Sequence, residues 1–583
     1  MSHPIEAWPD WARRLAHAIR ARLGNSFILH GNTHDLMSAP GAMAPGVPAT
    51  RFVSLPEFLA EQVFGSREVV IEYQRANGAI FHTRESHRLF SETLSTIDTV
   101  HGTDYARAIP RDPATFCSLL DSFLKQMLLK ETKPGVAVLF PWAETLLPES
   151  SGEAGAEDRA VRVFFQKWAT DPGFLAANVT FVLMTENLAD INTRLVRSPQ
   201  TVELEVKRPN EQERLDFLRW SRDDAWFAGR SDLPPERLAQ FTSGLTRIQL
   251  RQILASVDEQ GDRLDARLLR EQKKAVIEAE CFGLLEYVES PHSLDMVSGH
   301  EGVKQRLRRA AKAIGAGRLR GVPMGYLVAG PVGSAKTFLV TCFTGEIGFP
   351  CVKFLNFRSQ WQGVTEGNLE KILKLLHAMW PVGVIIDEAD AFLGDRNQQG
   401  DSGTSNRVFA QFATFMANTD YRGKIVWFLI TSRPDLLPID LKRQGRAEEH
   451  LALFYPQHDA EYDALLRIML RKSGLTSPVT SIREVIDDPA GLSGADIEAI
   501  LARAALVADA EGVGDGRSLT ADVLKQVFAD FIPTSNALER ELQVLVAVQE
   551  CTSREILPEV YRSMDRADLA ARINELRVLL NEA

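Results

Sequence analysis

The sequence of 583 residues predicts an α/β fold in which a parallel sheet followed by a helical lid occurs twice in tandem. Three observations support this prediction. Short apolar runs, typical of buried parallel strands, alternate with helical segments. One of these runs leads through a glycine-containing loop into a helix. Several runs also recur at a constant spacing along the chain.

The repeat is the evidence for two modules. It consists of two strand-like runs and one helix-start motif in each half, and all three pairs are separated by 247 positions. Because no gap is needed to align them, chance similarity between unrelated α/β segments is disfavoured. The pairs are Pro134–Leu139 with Pro381–Ile386, Val179–Leu183 with Val426–Ile430, and Gly244–Thr246 with Gly491–Ser493.

The boundaries follow from the repeat and from composition. At the carboxyl end, Leu569, Ile573, Leu576 and Leu579 have helical spacing and predict a helix that packs on its parent domain. We expect a first module over 1–280, a linker over 281–293, the large α/β subdomain of the second module over 294–455, its helical lid over 456–533, and a helical extension over 534–583.

Composition limits the class of protein. With 45% apolar and 25% charged residues the chain has an ordinary soluble composition, and its net charge of −11 makes nucleic acid an unfavourable partner. The five cysteines are scattered without a CxxC pair, which suits a reducing compartment. No apolar run approaches a membrane span, and Glu6 and Asp10 lie where a signal peptide would be apolar. We therefore expect a cytoplasmic protein with no membrane partner.

The most informative motif is the loop Gly330-Pro331-Val332-Gly333-Ser334-Ala335-Lys336-Thr337, which lies between the run Tyr326–Ala329 and a helix that starts near Phe338. Glycines let backbone N–H groups close around phosphates, a lysine reaches the β/γ oxygens, and a hydroxyl binds Mg²⁺. Alanine stands before the lysine, where glycine is usual. If that position needs a positive φ, alanine costs about 1–2 kcal/mol. A strand-to-helix turn with a chance lysine is the alternative.

A second motif lies about fifty residues further on, where the apolar run Val384–Ile386 ends in Asp387 and Glu388. Open α/β sheets place their ligands at the carboxyl ends of their strands. Asp387 is positioned to hold Mg²⁺, and Glu388 to orient and deprotonate an attacking water. A solvated acidic strand end is the alternative, and the upstream loop makes it less favourable.

With these motifs, residues 290–510 resemble the AAA clade of the AAA+ ATPases. The resemblance implies ATP and Mg²⁺ as cofactors, with Lys336 acting in catalysis and the whole loop through Phe338 binding nucleotide. It further implies that Met296, Val297 and Ser298 lie against adenine, and that Gly494 and Ala495 pack there from the lid. A plain helix start with Ser493 as N-cap fits the lid residues as well.

Three further segments carry the resemblance. Ile430–Asp435 resembles the sensor segment of the family, with Ser432 in place of the usual asparagine. Arg443 and Arg446 resemble paired arginine fingers, which in the family enter the neighbouring subunit's nucleotide site. The resemblance therefore implies that activity needs an assembled ring, with six copies as in the family. Trp361-Gln362-Gly363 resembles the pore loop that grips polypeptide. A second pore loop would lie at 395–403. Surface arginines and a core tryptophan are the alternatives.

The first module lacks these motifs. Positions 247 before Asp387 and Glu388 hold Phe140 and Pro141, which neither bind Mg²⁺ nor accept a proton. Its opening strand leads into a segment containing His30 and His34, and a turn explains these better than a metal site, because no further ligand cluster is evident. We expect a catalytically inactive module.

The function implied by the resemblance is ATP hydrolysis that drives a protein remodeller or unfoldase, acting as a homo-oligomeric ring on a protein client that the sequence does not name. An ATP-switched assembly factor or scaffold, which does not thread substrate, is the alternative. Nucleic-acid loading is a third possibility, which the acidic balance and the aromatic pore loop disfavour. No HExxH motif is present, so a fused zinc protease is not expected.

Overall fold

A computed structural model provides the fold. Its described residues form two compact units, the first comprising residues up to 273 together with a helix at 366–378, and the second comprising the remainder. The described residues are 8–41, 50–131, 133–149, 155–261, 263–280, 284–288, 290–347, 350–355, 366–393, 403–510, 517–533 and 537–580.

The strands of the first unit are β1 Ser26–Gly31, β2 Leu36–Pro40, β3 Thr50–Ser54, β4 Val69–Gln74, β5 Gly78–Phe81, β6 Val136–Phe140, β7 Val179–Thr185 and β8 Thr201–Val206. Those of the second unit are β9 Leu285–Val288, β10 Gly325–Ala329, β11 Cys351–Phe354, β12 Val382–Ile386, β13 Ile425–Thr431 and β14 Glu449–Ala452.

The helices up to residue 280 are α1 Asp10–Arg20, α2 Leu55–Phe58, α3 Arg84–His101, α4 Pro113–Leu129, α5 Ala156–Thr170, α6 Pro172–Ala176, α7 Thr193–Val196, α8 Glu211–Ser221, α9 Asp224–Arg230, α10 Pro235–Phe241, α11 Arg247–Gln260 and α12 Ala266–Glu280. Those after it are α13 Glu301–Gly315, α14 Lys336–Ile347, α15 Glu366–Ala378, α16 Ala389–Leu393, α17 Gly403–Met416, α18 Asp459–Lys472, α19 Gly494–Ala510, α20 Ala521–Asp530, α21 Ala537–Glu550, α22 Glu559–Arg562 and α23 Arg566–Leu579. None of these described helices is long and apolar enough to cross a bilayer.

The two main sheets have the same order of their five parallel strands. The first sheet has the order β5-β4-β6-β7-β1-β8, and the second, written from the matching edge, has the order β9-β11-β12-β13-β10-β14. Five strands in each sheet are parallel, and an antiparallel strand closes one edge. That edge strand, β5, follows its neighbour β4 in the first unit, whereas β9 precedes the rest of the second sheet. The predicted tandem α/β fold is confirmed.

Strand register reproduces the sequence repeat. Val136 pairs with Val179 in the first sheet, and the residues 247 positions later, Gly383 and Val426, pair in the second. Successive side chains of these strands point to opposite faces, and both faces are covered by apolar side chains, so the strands read as continuous apolar runs.

The lid motif of the repeat is also reproduced. Gly244 and Gly491 have φ angles of 88° and 82°. Thr246 then caps α11 by accepting the Gln249 N–H, and Ser493 accepts the Asp496 N–H at the start of α19. The repeated sequence therefore encodes one local structure, a left-handed glycine followed by a capped helix.

The first unit departs from the repeat directly after its opening strand. Ser26 occupies the sheet position of Tyr326, as their pairings with Phe181 and Phe428 show, so the spacing is 300 positions here rather than 247. The spacing differs because the first unit contains additional residues after β1, which include the antiparallel hairpin β2–β3 between β1 and α2. The second unit has its glycine-containing loop and α14 at this place.

The structure corrects two sequence predictions, one about the linker and one about the carboxyl-terminal helix. The expected linker over 281–293 contains β9, which pairs antiparallel with β11 because Leu285 and Tyr287 alternate into the core. In the carboxyl extension, Leu569, Ile573 and Leu576 are buried as predicted, but Leu579, the last residue of α23, is exposed. The extension packs on the second sheet through an apolar cluster shared by α21, α23, β10 and β14.

Candidate active site

The turn between β10 and α14 has the backbone of a loop that encloses an anion. Gly330, Gly333 and Ala335 have φ angles of 154°, 83° and 60°. A Cβ on Gly330 would lie 2.3 Å from the Leu453 carbonyl oxygen, and one on Gly333 would lie 2.6 Å from the Ser493 Cβ. Glycine is therefore required at both positions. Ala335 does occupy the left-handed region, where an alanine is strained by about 1–2 kcal/mol.

Lys336 lies at the first turn of α14 with its side chain folded back over the loop. Its ammonium donates to the carbonyl oxygens of Gly330 (2.9 Å) and Pro331 (2.8 Å) and to the Ser432 hydroxyl (3.1 Å). Burial lowers the Lys336 pKa from 10.5 to about 8, although Asp387 and Asp390 favour its charged form. Ser432, the shorter substitute for asparagine, thus lies within reach of the lysine. The ammonium is still mostly charged at neutral pH.

The Thr337 hydroxyl and the Asp387 carboxylate lie close together next to Lys336. The Thr337 hydroxyl is 3.1 Å and 3.3 Å from the two carboxylate oxygens of Asp387, and Lys353 on the neighbouring strand donates to Asp387 at 2.8 Å. Hydroxyl and carboxylate oxygens are the ligands that Mg²⁺ prefers. The arrangement gives a divalent cation one ligand from the loop and one from the end of β12.

Glu388 follows Asp387 with an exposed side chain and a φ of 49°. Its N–H donates to an Asp387 carboxylate oxygen at 3.1 Å, which helps to hold this strained conformation. Nearby, the Thr431 hydroxyl donates to Asp390 at 2.6 Å and links the ends of β12 and β13. Strained residues of this kind concentrate at functional sites, and here the strained residue carries an exposed carboxylate.

A pocket open to solvent lies between the core of the second unit and its lid. The predicted nucleotide-binding residues that line it are Met296, Val297, Ser298, Gly333, Ser334, Ala335, Phe338 and Gly494. Ala495 is not among the lining residues. The unpredicted lining residues are His300, Phe454, Tyr455, Pro456, Leu465 and Met469. Burial and Lys304 lower the His300 pKa to about 4, so its imidazole is neutral at pH 7.

These residues fit a magnesium nucleotide. The Ser334 hydroxyl is buried, and within the described part of the chain it has no hydrogen-bond partner. A buried, unpaired hydroxyl costs roughly 1–3 kcal/mol, so the loop retains a polar group that a phosphate oxygen would satisfy. A mostly apolar cavity on one side and the Thr337–Asp387 oxygens on the other suit the base and the metal-bound phosphates.

Three protein-family models match the chain and identify its family. The AAA+ chaperone N-terminal Rossmann-like domain matches residues 2–207, and the AAA+ chaperone second helical domain matches 212–282. The ATPase family associated with various cellular activities (AAA) matches 326–455, which includes the loop, Asp387 and Glu388. The chain belongs to the AAA+ superfamily. Its second unit contains the AAA ATPase domain, and its first is an AAA+ module too.

Curated proteins with similar sequences support this family assignment. A cell division cycle protein 48 homolog from Archaeoglobus fulgidus is 26% identical over 419 residues, covering 66% of this chain and 56% of the relative. An ATPase family protein 2 homolog from Caenorhabditis elegans is 26% identical over 345 residues, covering 58% and 46%. The ATP-dependent zinc metalloprotease FtsH 2 of Salinibacter ruber is 29% identical over 238 residues, covering 38% and 34%. The chain spans about half the length of the first two relatives.

The two candidate finger arginines of the AAA+ domain differ in exposure. The Arg443 side chain is 62% exposed and 3.8 Å from Asp440. Arg446 is buried, and its guanidinium donates to the Asp440 carbonyl oxygen at 2.7 Å. Of these two arginines, Arg443 is therefore the one with an exposed guanidinium. The pore-loop residues Trp361, Gln362 and Gly363 lie outside the described residues, as does most of the expected second pore loop.

In the first AAA+ module the corresponding sheet edge is closed by aromatic side chains. Phe140 is buried with its ring 4.8 Å from that of Phe165, and Pro141 follows. The next residue, Trp142, stacks on His34 at 5.3 Å. The described residues contain no cluster of three or more His, Cys, Asp or Glu that could hold a metal ion. This edge therefore offers apolar surface where the second module offers carboxylates.

A buried ion pair joins the core and lid of the first module. Asp35 lies in the loop after β1, and its carboxylate accepts the Ile248 N–H (3.1 Å) while lying 3.7 Å from the Arg247 guanidinium. Arg247 also donates to the Leu36 carbonyl oxygen at 2.9 Å and lies 5.7 Å from the centre of the Phe52 ring. Arg247 is the repeat equivalent of Gly494, which lines the cavity of the second module. A side chain thus bridges core and lid in the first module.

Sequence reasoning missed several contributors to the second site. Lys353, His300 and Tyr455 belong to no recognisable motif, and Gln543 on α21 contacts the loop from more than two hundred positions away. Lys353 alone carried a signal, because it is a charged residue within the apolar strand β11. A lysine in such a strand needs a partner, and here that partner is Asp387.

Replacing Ala335 with glycine should relieve backbone strain. We expect Ala335→Gly to raise the free energy of unfolding of the second unit by about 1 kcal/mol, because glycine accepts positive φ without a steric penalty. The matched change Ala313→Gly, within helix α13, should lower it by about 1 kcal/mol. Denaturant unfolding of the full chain measures both, and a loss of stability in Ala335→Gly would show that the alanine is not strained.

Removing Arg247 should loosen the first lid. We expect Arg247→Leu to cost about 3 kcal/mol, because the Asp35 carboxylate stays buried without its cation. Arg251→Leu, at an exposed position of the same helix, should stay within about 0.5 kcal/mol of the wild type. Hydrogen exchange across α11, followed by mass spectrometry, localises the effect. Equal exchange in the two variants would mean that the ion pair does not hold the lid.

Proposed function

We propose that the chain is an ATP-driven protein remodeller that works as a ring. The observation that carries this proposal is the set of polar groups at one edge of the second sheet. Lys336 and Thr337 come from the loop after β10, Asp387 and Glu388 from the end of β12, and Ser432 from the end of β13, and they lie beside a cavity suited to a purine base. The AAA family match over 326–455 supports ATP as the ligand.

The side chains have distinct tasks in hydrolysis. Lys336 exchanges its contacts with the loop carbonyls for β/γ-phosphate oxygens, and Ser432 stays within hydrogen-bond distance of that ammonium to contact the γ-phosphate. Thr337 and Asp387 would hold Mg²⁺, which when bound neutralises charge on the phosphates. Lys353 keeps the Asp387 carboxylate oriented through a hydrogen bond. Glu388, whose side chain is exposed, accepts a proton from the attacking water.

Arg443 is the group we assign to a neighbouring subunit's site. It is charged, projects into solvent and follows the sensor segment, whereas Arg446 is anchored within its own unit. An arginine supplied in trans stabilises the charge on the transferring phosphoryl group and is worth about 10³–10⁵ in rate. We therefore propose a homo-oligomeric ring, with six copies as the expected number.

The client in this proposal is a protein chain. Trp361, Gln362 and Gly363 would line the pore, where an aromatic ring grips many side chains through broad apolar contact. One relative is an ATP-dependent zinc metalloprotease, but the present sequence contains no HExxH motif, so the proposal is limited to remodelling. The acidic net charge of −11 and the scattered cysteines support action on protein in the cytoplasm.

The first module has a supporting role in this proposal. Its sheet edge carries Phe140 and Pro141 in place of acidic residues, and its lid is already tied to the core by Arg247. It would therefore stay in one conformation while the second module cycles, and would contribute to the ring or receive partners. The alternative, an ATP-switched scaffold that does not thread its client, shares these features and differs only in the role of the pore loop.

A mixing experiment tests the ring and both catalytic assignments. Glu388→Gln and Arg443→Ala should each abolish ATP hydrolysis when assayed alone. Mixed in equal amounts and allowed to exchange subunits, they should recover about a quarter of wild-type activity, because a quarter of the sites combine an intact Glu388 with a neighbour's intact Arg443. Phosphate release measures the rate. Unimpaired hydrolysis by Glu388→Gln would refute its role as the base, and no recovery on mixing would place Arg443 within its own subunit's chemistry.

Client capture separates threading from switching. Glu388→Gln with ATP should retain client proteins from a cell extract, and adding Trp361→Ala should abolish that retention because the pore loses its grip. Adding Trp380→Ala instead, at a tryptophan that is 48% exposed ahead of β12, should leave retention unchanged. Retention that survives Trp361→Ala would favour the scaffold alternative. Mass spectrometry of the retained proteins provides the readout.

A further inference from the structure

The tip of the phosphate-binding loop is held by two side chains from outside the loop. The Val332 N–H donates to the Gln543 side-chain oxygen at 3.0 Å, and the Val332 carbonyl accepts from the Tyr455 hydroxyl at 2.6 Å. The Val332 side chain itself is 65% exposed. Because that side chain has little packing, these two backbone contacts restrain Val332, beside the hydrogen bonds that the Pro331 carbonyl accepts from Lys336 and from the Ser334 N–H.

Gln543 is built into this position. It is only 5% exposed and lies on α21, whose neighbouring residues Leu542 and Val546 pack in the cluster that contains Ala329 at the end of β10. The N–H of Val332 can only donate, so the Gln543 oxygen must face it. The amide nitrogen then points to Glu539, 3.4 Å away. Glu539 thus orients Gln543, and Gln543 restrains the loop.

The same helix also contacts the lid. The Arg540 guanidinium donates to the Gly491 carbonyl oxygen at 2.7 Å and lies 5.8 Å from the centre of the Tyr455 ring. Gly491 begins the turn that leads into α19, and Tyr455 is the second residue that holds Val332. One helix of the carboxyl extension therefore touches both the loop and the start of the lid.

We infer that Gln543 is a positioning residue for nucleotide binding. This inference rests on the proposed ATP hydrolysis and adds a role for the carboxyl extension. By accepting the Val332 N–H, Gln543 holds the loop so that the N–H groups following Gly333 face the phosphates. Without this acceptor the loop samples other conformations, and ATP binding must restore the productive one. The binding step weakens, while the chemistry at Glu388 and Asp387 is unaltered once ATP is bound.

The test compares three variants of the full chain by ATPase kinetics. Gln543→Met keeps the size of the side chain but removes the acceptor, and we expect KM for ATP to rise about tenfold with kcat within about twofold of the wild type. The control Gln549→Met, at an exposed position of α21, should leave both parameters unchanged. The double variant Glu539→Gln with Gln543→Glu exchanges the two side chains, keeps the net charge and an acceptor for Val332, and should restore KM to within about threefold.

Thermal melting of each variant separates positioning from a role in packing alone. An unchanged KM in Gln543→Met would overturn the inference. So would a loss of melting temperature together with kcat that the exchange variant does not rescue, because that pattern reports general destabilisation. A wild-type chain that neither binds a fluorescent ATP analogue nor hydrolyses ATP would instead refute the proposed function.

Discussion

The candidate active site depends on the parallel pairing of β10, β13 and β12, which brings three strand ends to one edge of the second sheet. β10 leads into the loop that carries Lys336 and Thr337, β13 ends near Ser432, and β12 ends at Asp387. Their register sets the distances between these groups at about hydrogen-bond length. A shift of one residue in the pairing of β12 or β13 would turn the side chains of that strand to the opposite face and displace Asp387 or Ser432. Backbone hydrogen bonding therefore determines whether the candidate catalytic side chains meet.

The two modules show how one scaffold supports different chemistry at its edge. Strand order and register are the same, and the left-handed glycine and the capped lid helix are repeated. The first module nevertheless closes its edge with Phe140 and Trp142 and connects core to lid through Asp35 and Arg247. A charged side chain from the protein bridges the two parts there. The second module keeps a glycine at the equivalent of Arg247, which leaves room for a ligand to form the bridge.

Much of this could be predicted from the sequence, because local constraints leave local signatures. The loop from Gly330 to Thr337, the acidic end of β12 and the two N-caps each depend on residues close together in the chain. The linker prediction was wrong over Leu285–Val288, because four residues of alternating burial are too short a pattern to distinguish an edge strand from a connection. The exposure of Leu579 likewise depended on where α23 stops contacting its neighbours.

The sequence by itself determined the tandem α/β architecture, the position of the candidate phosphate-binding loop and the absence of the paired carboxylates from the equivalent strand end of the first module. These features follow from apolar periodicity, glycine placement and residue identity, all of which are properties of short segments. Tertiary structure alone decided three contacts: Lys353 orients Asp387, Arg247 bridges the lid and core of the first module through Asp35, and Gln543 accepts a hydrogen bond from Val332. Each of these contacts joins residues that no local pattern links, and it forms only because packing of the core brings distant segments within hydrogen-bond distance.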